Sequence, residues 1–129
     1  MTQPTTILVL EDNDFVRMQI VKFLRDAEYD VVEATGVSEA MEVIKSDEKV
    51  IECALVDVRM EPEDGFAFIQ RLEANDIDIS VILVTGDQNH DILSKATQMG
   101  VSSVLMKPVN KDRLIKMVER TIAVRGKKS

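Results

Sequence analysis

Short apolar runs alternate along the chain with segments in which apolar residues recur every three or four positions. "ILVL" (7–10) ends in "EDND", after which Val16, Ile20, Phe23, Leu24 and Ala27 keep helical spacing. "VVEA" (31–34) reads as a second strand. Ser38 is placed to cap a helix carrying Ala40, Met41 and Ile44, with Glu39 favourable in its first turn. "CALVDV" (53–58) is the third strand. The turn-rich "EPEDG" (61–65) leads into a helix using Phe66, Ile69 and Leu72. "VILV" (81–84), then "TGD", precedes a helix with Ile92, Leu93, Ala96 and Met99, stopped by Gly100. "SVLM" (103–106) is the fifth strand. "KPVN" follows, with Asn110 a cap for a last helix built on Leu114, Met117, Val118 and Ile122 and ending near Arg125. Strands alternating with helices imply right-handed βαβ crossovers and a parallel sheet covered on both faces. Apolar rather than alternating strands fit that double burial.

No linker or repeat interrupts the series, so the expectation is one α/β domain over 1–129, with a core at about 6–124 and a short basic tail at 125–129. The tail reads as a frayed, solvated end. A net charge of −7 argues against direct nucleic-acid binding, since phosphates are repelled, and points instead to a cation or a protein partner. Apolar runs of only a few residues rule out a membrane-spanning helix, and "MTQPTT" lacks the features of a signal peptide, so a cytoplasmic location is expected. The single cysteine, Cys53, reads as a small buried hydrophobe. Met99, Met106 and Met117 read as core filling, and His90 as a solvated helix-start residue.

The strand ends carry the chemistry. Strand one ends at Glu11 and Asp12, strand three at Asp57, strand four at Thr85 and strand five at Lys107. A carboxylate at the inner end of an apolar strand is costly if left charged and unpaired. In a parallel sheet, however, all carboxyl ends of the strands share one edge, where ligands bind. Carboxylates, a hydroxyl and an ammonium from four strands therefore meet there, and a cation with Lys107 can neutralise Asp57. Singly, each residue has a plain structural explanation as a cap, a strand residue or a solvated lysine. Their joint placement is what points to a site.

Here the chain resembles the receiver domain of two-component response regulators, from about residue 6 to residue 124. The resemblance rests on "ILVLEDN", "ALVDVRM…DG", "VILVTG" and "VLMKP", in order and at approximate spacing. It implies a flavodoxin-like, doubly wound five-stranded parallel sheet of order 2-1-3-4-5 with five helices. Asp57 is then the phosphoacceptor, with Lys107 and Thr85 assisting. Oxygen-only ligands suit Mg2+, held by Asp12, Asp57 and the backbone carbonyl of Arg59, with Glu11 acting through water. A sensor histidine kinase or a phosphotransfer protein would supply the phosphoryl group from phosphohistidine. The chain would catalyse only its own phosphorylation and slow autodephosphorylation. Thr85 would turn inward, Gly86 would ease that movement by removing side-chain bulk, and Pro108 would fix the chain behind Lys107 through a cis bond. A downstream protein or effector domain would read the face around residues 88–124. The resemblance also allows a homodimer to form on phosphorylation.

The sequence departs from the pattern at two points. Val104 stands where the family often has an aromatic switch residue, and Pro62 lies one residue later than usual. Arg59 has three candidate positions, paired with Glu11, paired with Asp87, or over the phosphoryl group. Together with Asp87 it is a candidate for setting the phosphoryl lifetime. Among other function classes, an aspartate-nucleophile phosphatase needs an acid two residues after its nucleophile, where this chain has Arg59. A nucleotide or flavin binder needs a glycine-rich cradle that "EDND" does not supply. A pseudo-receiver that is never phosphorylated is the remaining alternative, and intact Asp12, Asp57, Thr85 and Lys107 speak against it.

Overall fold

The computed structural model describes residues 5–46, 50–87, 89–101 and 103–126. Its elements are β1 (Thr6–Leu10), α1 (Asp14–Asp26), β2 (Asp30–Ala34), α2 (Val37–Ser46), β3 (Ile51–Asp57), α3 (Gly65–Ala74), β4 (Ser80–Thr85), α4 (His90–Gln98), β5 (Ser103–Met106) and α5 (Lys111–Gly126). All strand pairings are parallel and the order is β2-β1-β3-β4-β5. The doubly wound sheet expected from the sequence is thus present. No helix among the described residues is long and apolar enough to cross a membrane.

The apolar strands make two cores because successive side chains point to opposite faces. Ile7, Val9, Cys53, Leu55, Ile82 and Val84 face α1 and α5, where Ile20, Leu24, Leu114 and Val118 close the layer. Leu8, Leu10, Ala54, Val56 and Leu83 face α2, α3 and α4, meeting Ala40, Met41, Phe66, Phe68, Ile69 and Ile92. Each fully buried Leu, Ile or Phe contributes on the order of 1.5–3 kcal/mol. That burial is what holds the strand ends, and the polar groups on them, in fixed register. Cys53 is fully buried among these residues, and burial pushes its thiol up to about 12, so it is inert packing.

Caps fix where the helices begin. Asn13, Asp64 and Asn89 side chains accept from the N–H groups of Val16, Ala67 and Asp91. Asn110 accepts from Arg113 N–H at 3.0 Å, as its sequence position suggested. Gly100 follows α4 with φ +82°, the left-handed conformation that ends a helix there. His90 opens α4 and is exposed.

Some expectations are corrected. Ser38 does not cap α2, because the helix already includes Val37, and its first turn is closed instead by Glu39 accepting from the Thr35 N–H at 3.0 Å. Leu93 is on the outer side of α4, 41% exposed, rather than on the packed face. Strand four includes Thr85, and strand three starts at Ile51 and ends at Asp57, before Val58. Residues 1–4 and 127–129, on which the leader and tail readings bear, lie outside the described residues. The start of the expected frayed tail is corrected: Arg125 and Gly126 belong to α5, and Arg125 is anchored to Asp78 and Ser80.

Candidate functional site

The carboxyl edge of the sheet gathers Glu11 and Asp12 after β1, Asp57 at the end of β3, Thr85 at the end of β4 and Lys107 after β5. They line one hollow with Asn13, Arg59, Gly86 and Asp87. Glu11 and Asp57 are buried, Asp12 is exposed, and a ligand oxygen from each lies within 4.8 Å of the other two. Lys107 reaches in from the opposite side, its Nζ 3.2 Å from Asp57 Oδ1 and 2.9 Å from Glu11 Oε1. Lys107 Nζ donates to Asp57 Oδ1, while Glu11 Oε1, although close to the ammonium, has no directed hydrogen bond.

Two buried carboxylates beside one ammonium leave excess negative charge. Burial, reinforced by neighbouring Glu11, raises the Asp57 carboxyl to about 7, and Lys107 only partly opposes this. Burial works in the same direction on Glu11. Its contacts with Lys107 and Asp57 and a hydrogen bond from the Asn13 N–H outweigh burial and hold Glu11 below the usual carboxylate range. Lys107 likewise stays above the ordinary lysine value, because Glu11 and Asp57 outweigh its partial burial. Asp57 is therefore the group on which the strain of charge falls. Three clustered carboxylates, without histidine or cysteine, form a donor set for a hard divalent cation.

Local backbone ties the surrounding loops together. The Lys107 N–H donates to Thr85 O at 2.9 Å, Val58 N–H to Val84 O at 3.1 Å and Gly65 N–H to Val58 O at 3.0 Å. The Thr85 hydroxyl is buried and accepts from the Asp87 N–H at 3.0 Å. The Arg59 guanidinium pairs with the Asp87 carboxylate across the mouth of the hollow, so of the three positions considered it takes the second. That contact, with a hydrogen bond from the Asn89 N–H, holds the Asp87 carboxyl below its ordinary value. The Lys107–Pro108 bond is cis, as the resemblance implied, and so is Glu61–Pro62. Val104 lies in edge strand β5, half-buried against the α2–α4 side core. A Cβ on Gly86 would meet only Lys107 Cβ at 3.8 Å, so space does not demand glycine there.

The residue that space does demand as glycine is Gly65. A Cβ on it would stand 2.6 Å from Asp57 O and 3.2 Å from both Val56 Cγ1 and Val58 Cα, against the backbone that carries Asp57. Its signal in the sequence was the helix-start pair Asp64-Gly65, which periodicity reads only as a turn. Arg17 also went unnoticed. Its Nη1 donates to Glu11 O at 2.9 Å while the guanidinium bridges Asp14 and Glu33, bracing the acidic turn from beneath.

Comparison with known proteins bears on the fold and the family. The chain is 28% identical over 109 residues to a cyclic di-GMP phosphodiesterase of Thermotoga maritima, covering 84% of this chain and 28% of that protein. It spans 16–58% of the length of curated relatives such as this one. Among solved structures, a response regulator receiver protein from Pseudomonas putida superposes with a TM-score of 0.83 at 28% identity, covering 93% of this chain and 99% of that one. A CheY-like receiver domain from Methanospirillum hungatei, at 20% identity, shares the fold with a TM-score of 0.87 over 98% and 99% of the two chains. The family model for the response regulator receiver domain matches residues 7–119, and the chain belongs to that family.

Proposed function

We propose that this chain is a phosphorylation-driven signalling switch that accepts a phosphoryl group on Asp57. The observation that carries the reading is the buried Asp57 carboxylate, set between two acids and an ammonium in one solvent-open hollow. Asp12 and Asp57 would hold Mg2+ together with the Arg59 backbone carbonyl, and Glu11 through water. When bound, the ion supplies charge neutralisation for the carboxylates and for the incoming phosphoryl oxygens. An Asp57 oxygen attacks phosphorus in line as the N–P bond of a phosphohistidine breaks, and the departing imidazole takes a proton from solvent. The donor is a sensor histidine kinase or a phosphotransfer protein.

Lys107 then exchanges its contacts with the two carboxylates for a phosphoryl oxygen. Thr85 gives up the Asp87 N–H and turns its hydroxyl to donate to the same group, with Gly86 as the yielding neighbour. The β4–α4 loop moves with it, and the change reaches the face of α4, β5 and α5, where a downstream protein or effector domain reads it. Arg59 and Asp87, across the mouth, govern how readily water attacks the acyl phosphate. Val104 transmits less than a large ring would, and Pro108 keeps Lys107 aimed inward. The deciding experiment is incubation with Mg2+ and a small acyl-phosphate donor, wild type beside Asp57→Asn, read by intact mass. One added phosphoryl group is expected on the wild type alone. An unmodified wild type favours a pseudo-receiver, and a variant modified like the wild type moves the phosphoacceptor away from Asp57.

A further inference from the structure

The outward side of α5 is cationic in a chain whose net charge is −7. At about 100° per residue, Arg113, Met117, Arg120 and Val124 fall within one narrow sector of the helix, with Lys116 on its flank. The helix's acids, Asp112 and Glu119, lie about 100–120° round from that sector. Arg113, Lys116 and Arg120 are exposed, and none has an ion-pair partner among the described residues. By contrast Arg17, Arg59, Arg71, Lys107 and Arg125 are all paired.

Two hollows flank the strip. One of about 280 Å³ lies between β5 and α5, lined by Val104, Met106, Pro108, Arg113, Met117 and Arg120. The other, of about 420 Å³, sits further along α5, shares Arg120 and reaches Val124, itself 52% exposed. Met117 and Val124 are two turns apart, about 10 Å along the helix. The spacing matches apolar side chains at positions i and i+7 of a second helix laid on this face.

We infer that this surface takes an acidic amphipathic helix of a partner protein, with two apolar anchors two turns apart and carboxylates meeting Arg113, Lys116 and Arg120. The inference rests on the signalling reading above for why this face is used, and adds the chemistry of what it binds. Charge complementarity selects the occupant, since the unpaired guanidiniums of Arg113 and Arg120 beside the apolar side chains of Met117 and Val124 favour carboxylates next to aliphatic side chains. A nucleic acid fits less well, because three cations on an acidic chain give a weak field and the strip has no aromatic residue on which bases could stack.

The test uses a labelled synthetic helical peptide with Leu at i and i+7 flanked by Glu, and a matched peptide with Lys in place of Glu. Fluorescence anisotropy is read on the full chain, both unmodified and after acyl-phosphate treatment. The wild type should bind the Glu peptide, in either state, and ignore the Lys peptide. The double variant Arg113→Glu/Arg120→Glu should lose the Glu peptide by at least about tenfold and gain the Lys peptide. Binding in neither state, equal binding of both peptides, an unchanged double variant, or displacement of the Glu peptide by duplex DNA overturns the inference. Intact mass is taken on the same samples. Normal phosphorylation with failed peptide discrimination removes only the partner chemistry, whereas absent phosphorylation removes the reading of Asp57.

Discussion

Replacing Asp57 with asparagine should stabilise the metal-free protein, and by an amount that depends on pH. The Asp57 carboxyl moves from 3.8 to about 7 on folding, so the folded chain holds its proton more tightly than the unfolded one. The stabilisation from that tighter hold is complete below about pH 4 and is lost as pH rises through about 7. At pH 8 the ionised side chain is a liability with a ceiling of about 4 kcal/mol, taking 1.36 kcal/mol per pH unit. Solvent at the mouth of the hollow reduces that to about 1–3 kcal/mol. Asparagine keeps the shape and can still accept from Lys107 Nζ, now 3.2 Å from Asp57 Oδ1, while removing the charge. At roughly 3–4 °C per kcal/mol for a chain of this size, Tm should rise by about 3–12 °C at pH 8. The difference should shrink toward zero near pH 4. Calorimetric melts from pH 4 to pH 8.5 in chelator measure it, and added Mg2+ should raise the wild type at pH 8 more than the variant. A variant less stable than wild type at pH 8 without divalent ions, or a difference that does not change with pH, refutes the argument from crowded carboxylates.

Three further substitutions separate packing from chemistry. Gly65→Ala places a methyl 2.6 Å from Asp57 O, and should cost about 1–3 kcal/mol in denaturant melts together with slower phosphorylation as the Asp57 backbone shifts. Arg59→Ala removes a solvent-screened pair with Asp87, so denaturant melts should be unchanged, while the autodephosphorylation rate, followed by intact mass over time, changes. Equal rates would exclude Arg59 from setting the lifetime. Glu28→Gly relieves a non-glycine residue held at φ 70° just after α1, and should raise stability by about 1 kcal/mol in the same melts, with phosphorylation unchanged.

How much of this was legible in the sequence follows from which interactions are local in pattern. The strands were readable because both sheet faces are apolar, so "ILVL" and "CALV" carry an unbroken signal, whereas their order came only from the resemblance to receiver domains. Asp57, Glu11, Asp12, Thr85 and Lys107 stood out because each interrupts or ends such a run, and the structure brings them to one hollow. Ser38 misled because a capping residue and a first-turn residue look alike when the true closure comes from Glu39 reaching back to Thr35. Leu93 misled because an apolar residue at helical spacing can still lie on the outer side. The reason differs for Gly65, read only as part of a turn and a motif, and for Arg17, neither of which was singled out. Their importance lies in contacts with the backbone of Asp57 and Glu11, partners that no one-dimensional periodicity identifies.

The same contacts explain why a charge added at one carboxylate can be felt beyond it. Three loops are joined by single backbone hydrogen bonds: Gly65 to Val58, Val58 to Val84, and Lys107 to Thr85. Thr85 is tied through its hydroxyl to the Asp87 N–H, and the Asp87 carboxylate is held by Arg59 from across the mouth, so a turn of the hydroxyl toward a phosphoryl oxygen disturbs both contacts. That exposed pair is weak because solvent screens it, and a neutral hydrogen bond such as Asp87 N–H to Thr85 contributes about 1 kcal/mol. A phosphoryl group carrying about −1.5 to −2 charges, with Lys107 already beside the carboxylates, gains charge-assisted hydrogen bonds worth about twice a neutral one each. The resting arrangement is thus held by weak bonds and opposed by stronger ones once Asp57 is modified, a difference of a few kcal/mol. That is enough to reverse a two-state population without disturbing the two cores that carry the fold.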